Sequence, residues 1–248
     1  RSKLSRNRRP LIRLTAAVFA LTALAACGGG SSTSGGSDAD GSGTGAPAQG
    51  VGVVYPLTGL PIEDKAAAAR PALAVKIDNH PTSRPQTGLN KADIVFEENV
   101  EALTRFAAVF HSQGSDPVGP IRSGRTQDID ILGSFNKPLF GWSGGNFRVT
   151  RAINNSDLVN VGYSASRGKG GYYRAKDKKA PYNLFAKTTN LWTLAPEDAV
   201  SPQQQFTYRG SSDAKPATST AVDGAKVSMY NVKVYWKWDA ATNNFIRF

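Results

Sequence analysis

Ala72-Leu73-Ala74-Val75-Lys76-Ile77-Asp78 is an almost unbroken apolar run. Its apolar residues fall on both faces of an extended chain, which reads as a strand at the centre of a sheet, covered on both sides. It ends in Asp78-Asn79-His80-Pro81, a polar turn at the strand's C-terminal end, and a loop over residues 82–90 follows, including Arg84-Pro85-Gln86-Thr87-Gly88. Residues 93–100 and 104–111 are β-branched and aromatic enough to be strands. Only Glu101-Ala102-Leu103 joins them, so they pair antiparallel. Before the central strand lie an extended entry over residues 55–61 and a single helical turn over residues 66–69. These elements predict a mixed α/β fold: a largely mixed sheet with flanking helices.

The next landmark is Gly119-Pro120-Ile121-Arg122-Ser123-Gly124-Arg125-Thr126-Gln127-Asp128. It reads as a loop delivering two guanidiniums to the first turn of a helix over residues 126–135. Two rigid forks beside free backbone N–H groups suit an anion. The simpler reading is a solvated turn whose arginines pair with the acids upstream. Residues 138–142 form a strand leading into Ser143-Gly144-Gly145, and residues 147–154 a helix with Phe147, Val149 and Ile153 on one side. Residues 158–163 are another strand, 164–179 a mobile Gly- and Lys-rich excursion, and Pro181-Tyr182-Asn183-Leu184-Phe185 opens a helix to about residue 194. Residues 207–221 are a polar linker. A strand over 227–238 and a second over 243–248 form a hairpin, the start of a small β-rich C-terminal domain. Two strands alone are marginal in water, so the chain reads as cut inside that domain.

The ends and the charge supply an address. Arg1, Lys3, Arg6, Arg8, Arg9 and Arg13 precede a short apolar stretch over residues 14–23, too short to span a bilayer comfortably. Leu24-Ala25-Ala26-Cys27-Gly28 then has the form of a lipobox, which expects Cys27 to carry diacylglycerol and an acyl chain such as palmitate after cleavage. Asn7-Arg8-Arg9-Pro10-Leu11-Ile12-Arg13 also resembles a twin-arginine signal, although an Arg-rich start for the general export route accounts for the same residues. Residues 28–50 are Gly, Ser, Thr, Ala and Asp with almost nothing apolar, a flexible tether of about 25–30 Å root-mean-square span. The expected organisation is a lipoprotein signal peptide at 1–27, the tether at 28–50, the main domain at 51–210, and a linker with the C-terminal start at 211–248. Without the signal, 24 basic residues face 19 acidic ones, a net charge of +5 against +11 for the whole 248-residue chain. That mild excess is not the footprint of a nucleic-acid binder. The expected place is the cell membrane, lipid-anchored on its extracytoplasmic face.

Several constellations carry candidate chemistry. Gly141-Trp142-Ser143-Gly144-Gly145 fits a nucleophile elbow between strand and helix, but the histidines, His80 and His111, both precede the serine. Gly144-Gly145 fits better as a tight turn with exposed N–H groups, an anion nest. Asp78, His80 and His111 form a minimal metal set only if the fold gathers them, and a polar turn and a strand end explain them without a metal. Glu97, Glu98 and Glu101 suggest paired carboxylates. If a strand runs through Glu97 and Glu98, one must face inward and needs a cation, which Arg105, Arg122 or Arg125 would supply. Arg105, next to Phe106, is expected to face away from the core. Trp192, Trp236 and Trp238 read as core or hairpin aromatics. The Gly-rich stretch at 164–171 lacks the Lys-Ser/Thr of a nucleotide-binding loop.

Pro56-Leu57-Thr58-Gly59-Leu60, Ala74-Val75-Lys76-Ile77-Asp78-Asn79, Arg84-Pro85-Gln86-Thr87-Gly88-Leu89, Ala92-Asp93-Ile94-Val95-Phe96-Glu97, Thr104-Arg105-Phe106 and the arginine loop occur in the order that resembles the YerB-like lipoproteins, bacterial proteins of uncharacterised function. Ala180-Pro181-Tyr182-Asn183-Leu184-Phe185 fits the same pattern. The resemblance spans about residues 55–210, with a faint start of the family's second domain. It implies an exported, lipid-anchored, two-domain mixed α/β protein with no known reaction. The chain departs from the pattern by ending early.

The functional expectation is a binding or scaffolding module for a polar or anionic envelope component or a protein partner. Its candidate residues are Arg122, Ser123, Arg125, Ser143, Gly144, Gly145, Asp78, Asn79, Glu97, Arg105 and Asn183, with Cys27 for lipidation and no metal or cofactor. The alternative is an envelope hydrolase with Glu97 or Asp78 as acid or base.

Overall fold

The computed structural model describes residues 54–210, 213–214 and 218–248. The expected signal peptide, Cys27 and the expected tether lie outside them. Five strands form the main sheet: β1 (Leu73–Asp78), β2 (Ile94–Val100), β3 (Leu103–Phe110), β4 (Leu139–Gly141) and β5 (Val159–Asn160), in the order β2-β3-β1-β4-β5. β1 is central. It pairs antiparallel with β3 from Leu73↔Phe110 to Asp78↔Arg105, and parallel with β4. β2 pairs antiparallel with β3, and β4 parallel with β5. Four strands therefore point their carboxyl ends to one edge, and β3 alone runs the other way. The chain leaves β1 to build β2 and β3 on one side, then crosses to build β4 and β5 on the other. Such a switch in direction leaves a crevice at the carboxyl ends.

Alternation along β1 sorts its side chains into two layers. Leu73, Val75 and Ile77 enter one core with Phe106, Phe110, Ile121, Leu139, Leu184 and Leu191. Ala72 and Ala74 enter the other with Val109, Leu132, Phe135, Phe140, Trp142 and Ile153. Burying each such large side chain contributes about 1.5–3 kcal/mol. Among the described residues, four short α-helices accompany the sheet: α1 (Lys65–Ala69), α2 (Gln127–Leu132), α3 (Phe147–Asn154) and α4 (Thr188–Trp192). A two-stranded piece, β6 (Tyr173–Arg174) with β7 (Leu184–Phe185), and a separate antiparallel sheet, β8 (Gly224–Met229), β9 (Val232–Asp239) and β10 (Asn244–Arg247), complete the mixed α/β architecture. Among the described residues, no helix is long and apolar enough to cross a membrane.

The arginine loop is a wedge in this sheet. β1 and β4 pair only as far as Val75↔Gly141. Beyond that point residues 120–122 take the gap. Asp78 N–H donates to Pro120 O (2.9 Å) and Arg122 N–H to Lys76 O (2.8 Å), an antiparallel bridge at Ile77↔Ile121. On the other side Ser143 N–H donates to Arg122 O (3.0 Å), and Ile121 N–H to Leu184 O (2.6 Å). Gly124 belongs here because a Cβ would sit 2.7 Å from the Trp142 ring.

Several local expectations need correction. The strand expected over 227–238 is two strands, β8 and β9, turning at Tyr230-Asn231 with Tyr230 at φ +54°. The alternating pattern runs straight through that turn and hides it. The helix expected to open at residue 181 is β7 followed by α4, because Leu184 and Phe185 are buried beside the arginine loop. The excursion at 164–179 folds back: Tyr172 packs on the core and donates its hydroxyl to Val161 O (2.9 Å), and β6 pairs with β7. Phe147 leaves the buried side of α3 and is 77% exposed.

Candidate functional site

Asp78 and Glu98 are both the register partners of Arg105, from β1 and β2 respectively. Directly opposed residues share a sheet face, so the three form one row at the carboxyl ends of the strands. The wedge brings Arg122 to the same edge. Its Nε lies 2.9 Å from Asp78 Oδ2, in an ion pair whose buried atoms lack hydrogen-bond alignment. Arg125 reaches Glu101 Oε1 (2.9 Å) at the exposed β2–β3 turn, and donates to Gly124 O (3.0 Å).

Arg105 differs from its neighbours. Half-buried, it donates to Ser123 O (2.9 Å), and no acid lies within ion-pair distance of it among the described residues. Burial lowers its pKa, and the positive charges of Arg125 and Arg122 lower it further, against the attraction of Asp78 and Glu101. A desolvated cation beside two like charges favours an incoming anion. Asp78, His80, Glu101, Thr104, Arg105 and Arg122 line a cleft of about 210 Å³ there. Its rim is an aromatic platform. His80 stacks on Tyr182 with centroids 4.8 Å apart, and the Arg122 guanidinium lies 5.5 Å from the Tyr182 ring.

On the same face, Lys76 Nζ lies 2.6 Å from Glu98 Oε1 and 2.8 Å from Asp128 Oδ1. All three side chains are buried. Gln127 Nε2 donates to Glu98 Oε2 (2.8 Å), and Arg125 N–H to Asp128 Oδ2 (2.7 Å). One ammonium thus serves two carboxylates. Desolvation raises the pKa of Glu98, the Asp128 charge raises it further, and Lys76 opposes both. The inward acid is Glu98, as alternation requires, but its cation is Lys76 and none of the three arginines. Asp128 also takes the N–H at the start of α2 that was expected to face an anion.

Ser123 supplies its carbonyl to Arg105, and its hydroxyl lies 3.5 Å from the Ser143 hydroxyl. Ser143 stands between strand and helix as expected, with that serine for its hydrogen-bond neighbour. Gly144, at φ +111°, accepts from Gly124 N–H (3.2 Å), and beyond Gly145 the first turn of α3 is capped by Asn146 Oδ1 on Val149 N–H (3.0 Å). Glu97 points to the other face, where Thr104 Oγ1 donates to it (2.7 Å) and Arg247 of β10 forms an ion pair with it. Asn79 donates to Thr104 (2.7 Å) and accepts from Arg84 (3.0 Å) and Gln86 (3.2 Å). Asn183 ties the β6–β7 loop together and does not line the cleft.

His111 is fully buried under the edge of Tyr55, far along β3 from His80 at the cleft, and burial lowers its pKa. Among the described residues no three acids, histidines or cysteines group for a metal. No sequence motif marks Lys76, Asp128 or Tyr182 as site residues. The signal for Lys76 was present: a lysine inside a strand apolar on both faces must be buried with an acid.

The family model described as "Protein of unknown function (DUF3048) N-terminal domain" matches residues 57–201. The chain is 34% identical over 194 residues to "Putative lipoprotein YerB" of Bacillus subtilis (strain 168), across 76% of this chain and 53% of that protein. It therefore spans about half the length of this curated relative. It is also similar to the crystal structure of the YerB protein from Bacillus subtilis, with a TM-score of 0.65 and 25% identity over 79% of this chain and 67% of that one.

Proposed function

Because the chain belongs to the DUF3048 family, whose function is unknown, its fold brings no reaction with it, and we propose from the site that it is a binding module for an acidic group. The module is exported and held at the outer face of the membrane by lipid on Cys27, and its ligand is an anionic component of the envelope. The observation that carries this reading is Arg105: a half-buried guanidinium, next to two others, whose hydrogen bond goes to a carbonyl and not to an acid. A cleft of about 210 Å³ lies below the usual range of about 300–1,000 Å³ for whole small molecules, and suits the acidic end of a larger ligand. Carboxylate and phosphate oxygens both match the guanidinium fork.

The acid/base alternative finds its carboxylates engaged, Asp78 by Arg122 and Glu97 by Arg247. No further observation favours it.

The test is a titration with acetate and inorganic phosphate, followed by the arginine side-chain N–H resonances. Saturable shifts at Arg105 and Arg122, lost in Arg105→Met at an unchanged melting temperature, support the reading. Unshifted resonances overturn it. Growth with a fatty-acid analogue checks the anchor: Cys27→Ser is expected to lose the label and leave the membrane fraction.

A further inference from the structure

We propose that the cleft is one end of a longer strip, and that its partner is a linear polyanion, a chain carrying an acidic group on successive repeat units. The proposal rests on the reading of the cleft as a site for one such group. The strip is the loop between β6 and β7, and several contacts fasten it to the cleft rim. Tyr182 stacks on His80 and lies near Arg122. Lys178 Nζ donates to the carbonyls of Ser83 (2.9 Å) and Pro85 (3.1 Å), just beyond β1. Asn183 braces the loop from within, donating to Ala175 O (3.3 Å) and Lys178 O (3.2 Å) and accepting from Arg174 (2.8 Å).

Lys179 therefore has a defined place. Tyr182 N–H donates to its carbonyl (2.9 Å), so Lys179 stands one turn from the aromatic at the rim. Lys176 and Lys179 are both exposed, and neither ammonium has an acidic partner among the described residues. Asp177 is the acid among four basic residues from Arg174 to Lys179. Positive charge thus continues out of the cleft along one braced loop.

A cleft of this volume accepts one acidic group and leaves these ammoniums unused. A chain with repeated acids engages both, and the second contact is then intramolecular, at a high effective concentration. A flat anionic bilayer fits less well. The lip of the cleft is the turn carrying Glu101, whose side chain is 79% exposed, so a planar surface would meet a carboxylate before it met Arg105.

The experiment uses the full chain in neutral detergent with inorganic polyphosphate, poly-L-glutamate, their monomeric anions, and vesicles containing phosphatidylglycerol. The expected result is that at least one polymer binds about tenfold or more tighter per acidic group than its monomer, the better polymer naming the repeat's acid. Lys176→Ser with Lys179→Ser is expected to abolish that advantage while keeping monomer binding and the wild-type circular dichroism. Arg105→Met is expected to lose both. A double variant that keeps the full polymer preference, or vesicles that compete as well as the polymer, overturns the strip while Arg105-dependent monomer binding leaves the cleft reading intact. Absence of monomer binding in the wild type overturns both.

Discussion

Glu98 Oε1 lies 2.6 Å from Lys76 Nζ in the interior of the sheet, and Asp128 approaches the same ammonium from α2 at 2.8 Å. Strand and helix are thus joined beneath the cleft by buried charge. Removing one partner of such a group costs far more than the group contributes, because the others are left buried and unpaired.

Lys76→Met is accordingly expected to destabilise the protein by about 3–5 kcal/mol. The midpoint of urea unfolding measures it. Adding Glu98→Gln to that variant should recover part of the loss, since one buried charge disappears. If Lys76→Met unfolds at the wild-type midpoint, the three groups do not form one buried unit.

The pH dependence has a definite sign. The pKa of Glu98 is raised above its ordinary 4.5 by desolvation and by Asp128. The folded protein therefore holds this proton more tightly than the unfolded chain does. The stability it adds is full below 4.5 and is lost as pH rises through the raised folded value. Glu98→Gln should remove that loss, so its stability relative to wild type should improve from acid to neutral pH. Denaturant midpoints of both proteins across that range test the slope. A difference that stays flat or moves the other way defeats the assignment.

Arg122 and Arg125 should separate in their effects. Arg122→Ala leaves the Asp78 carboxylate, 4% exposed, without its cation, and is expected to cost about 1–3 kcal/mol. Arg125→Ala removes a pair whose acid is largely in water, and is expected to cost well under about 1 kcal/mol. Anion titration should weaken in both, because both guanidiniums face the same edge. Equal melting temperatures for the two variants would count against the Asp78 ion pair.

The Glu97–Arg247 pair links β2 to β10, and Asn99 adds a hydrogen bond to Met229 O (3.2 Å). Arg247→Ala is expected to speed amide hydrogen exchange across β8, β9 and β10 while leaving β1 protected. Exchange unchanged in the C-terminal sheet would show that other contacts hold it.

Particular elements show how much was legible in the sequence. β1, β2 and β3 were readable because their patterns are long, and the short link after Val100 left antiparallel pairing as the simple choice. Glu98 was readable as half of an inward acid problem, since two adjacent acids on a strand must part. Its cation was not, because Lys76 acts across two strand positions and alternation says nothing about which neighbour lies there. The wedge of residues 120–122 was legible as a loop bearing arginines, but not as a piece of the sheet, because its partners lie on β1, beside Leu184, and after β4. Asn183 carried a recognisable motif and turned out to brace a loop, a role that only the Ala175 and Lys178 carbonyls reveal. Tyr182, beside it, supplies the rim through its contacts with His80 and Arg122, which no local pattern announces.

The wedge also bears on kinetics. Residues 120–122 hold ladder hydrogen bonds on both sides, to β1 and to Ser143, so Arg122 travels with the sheet and has no hinge of its own. On the proposed reading an arriving anion would meet receptors already in position, and no closing motion would have to precede capture. Association should then be governed by encounter and charge steering: rapid, slowed by added salt, and single-exponential in a stopped-flow trace.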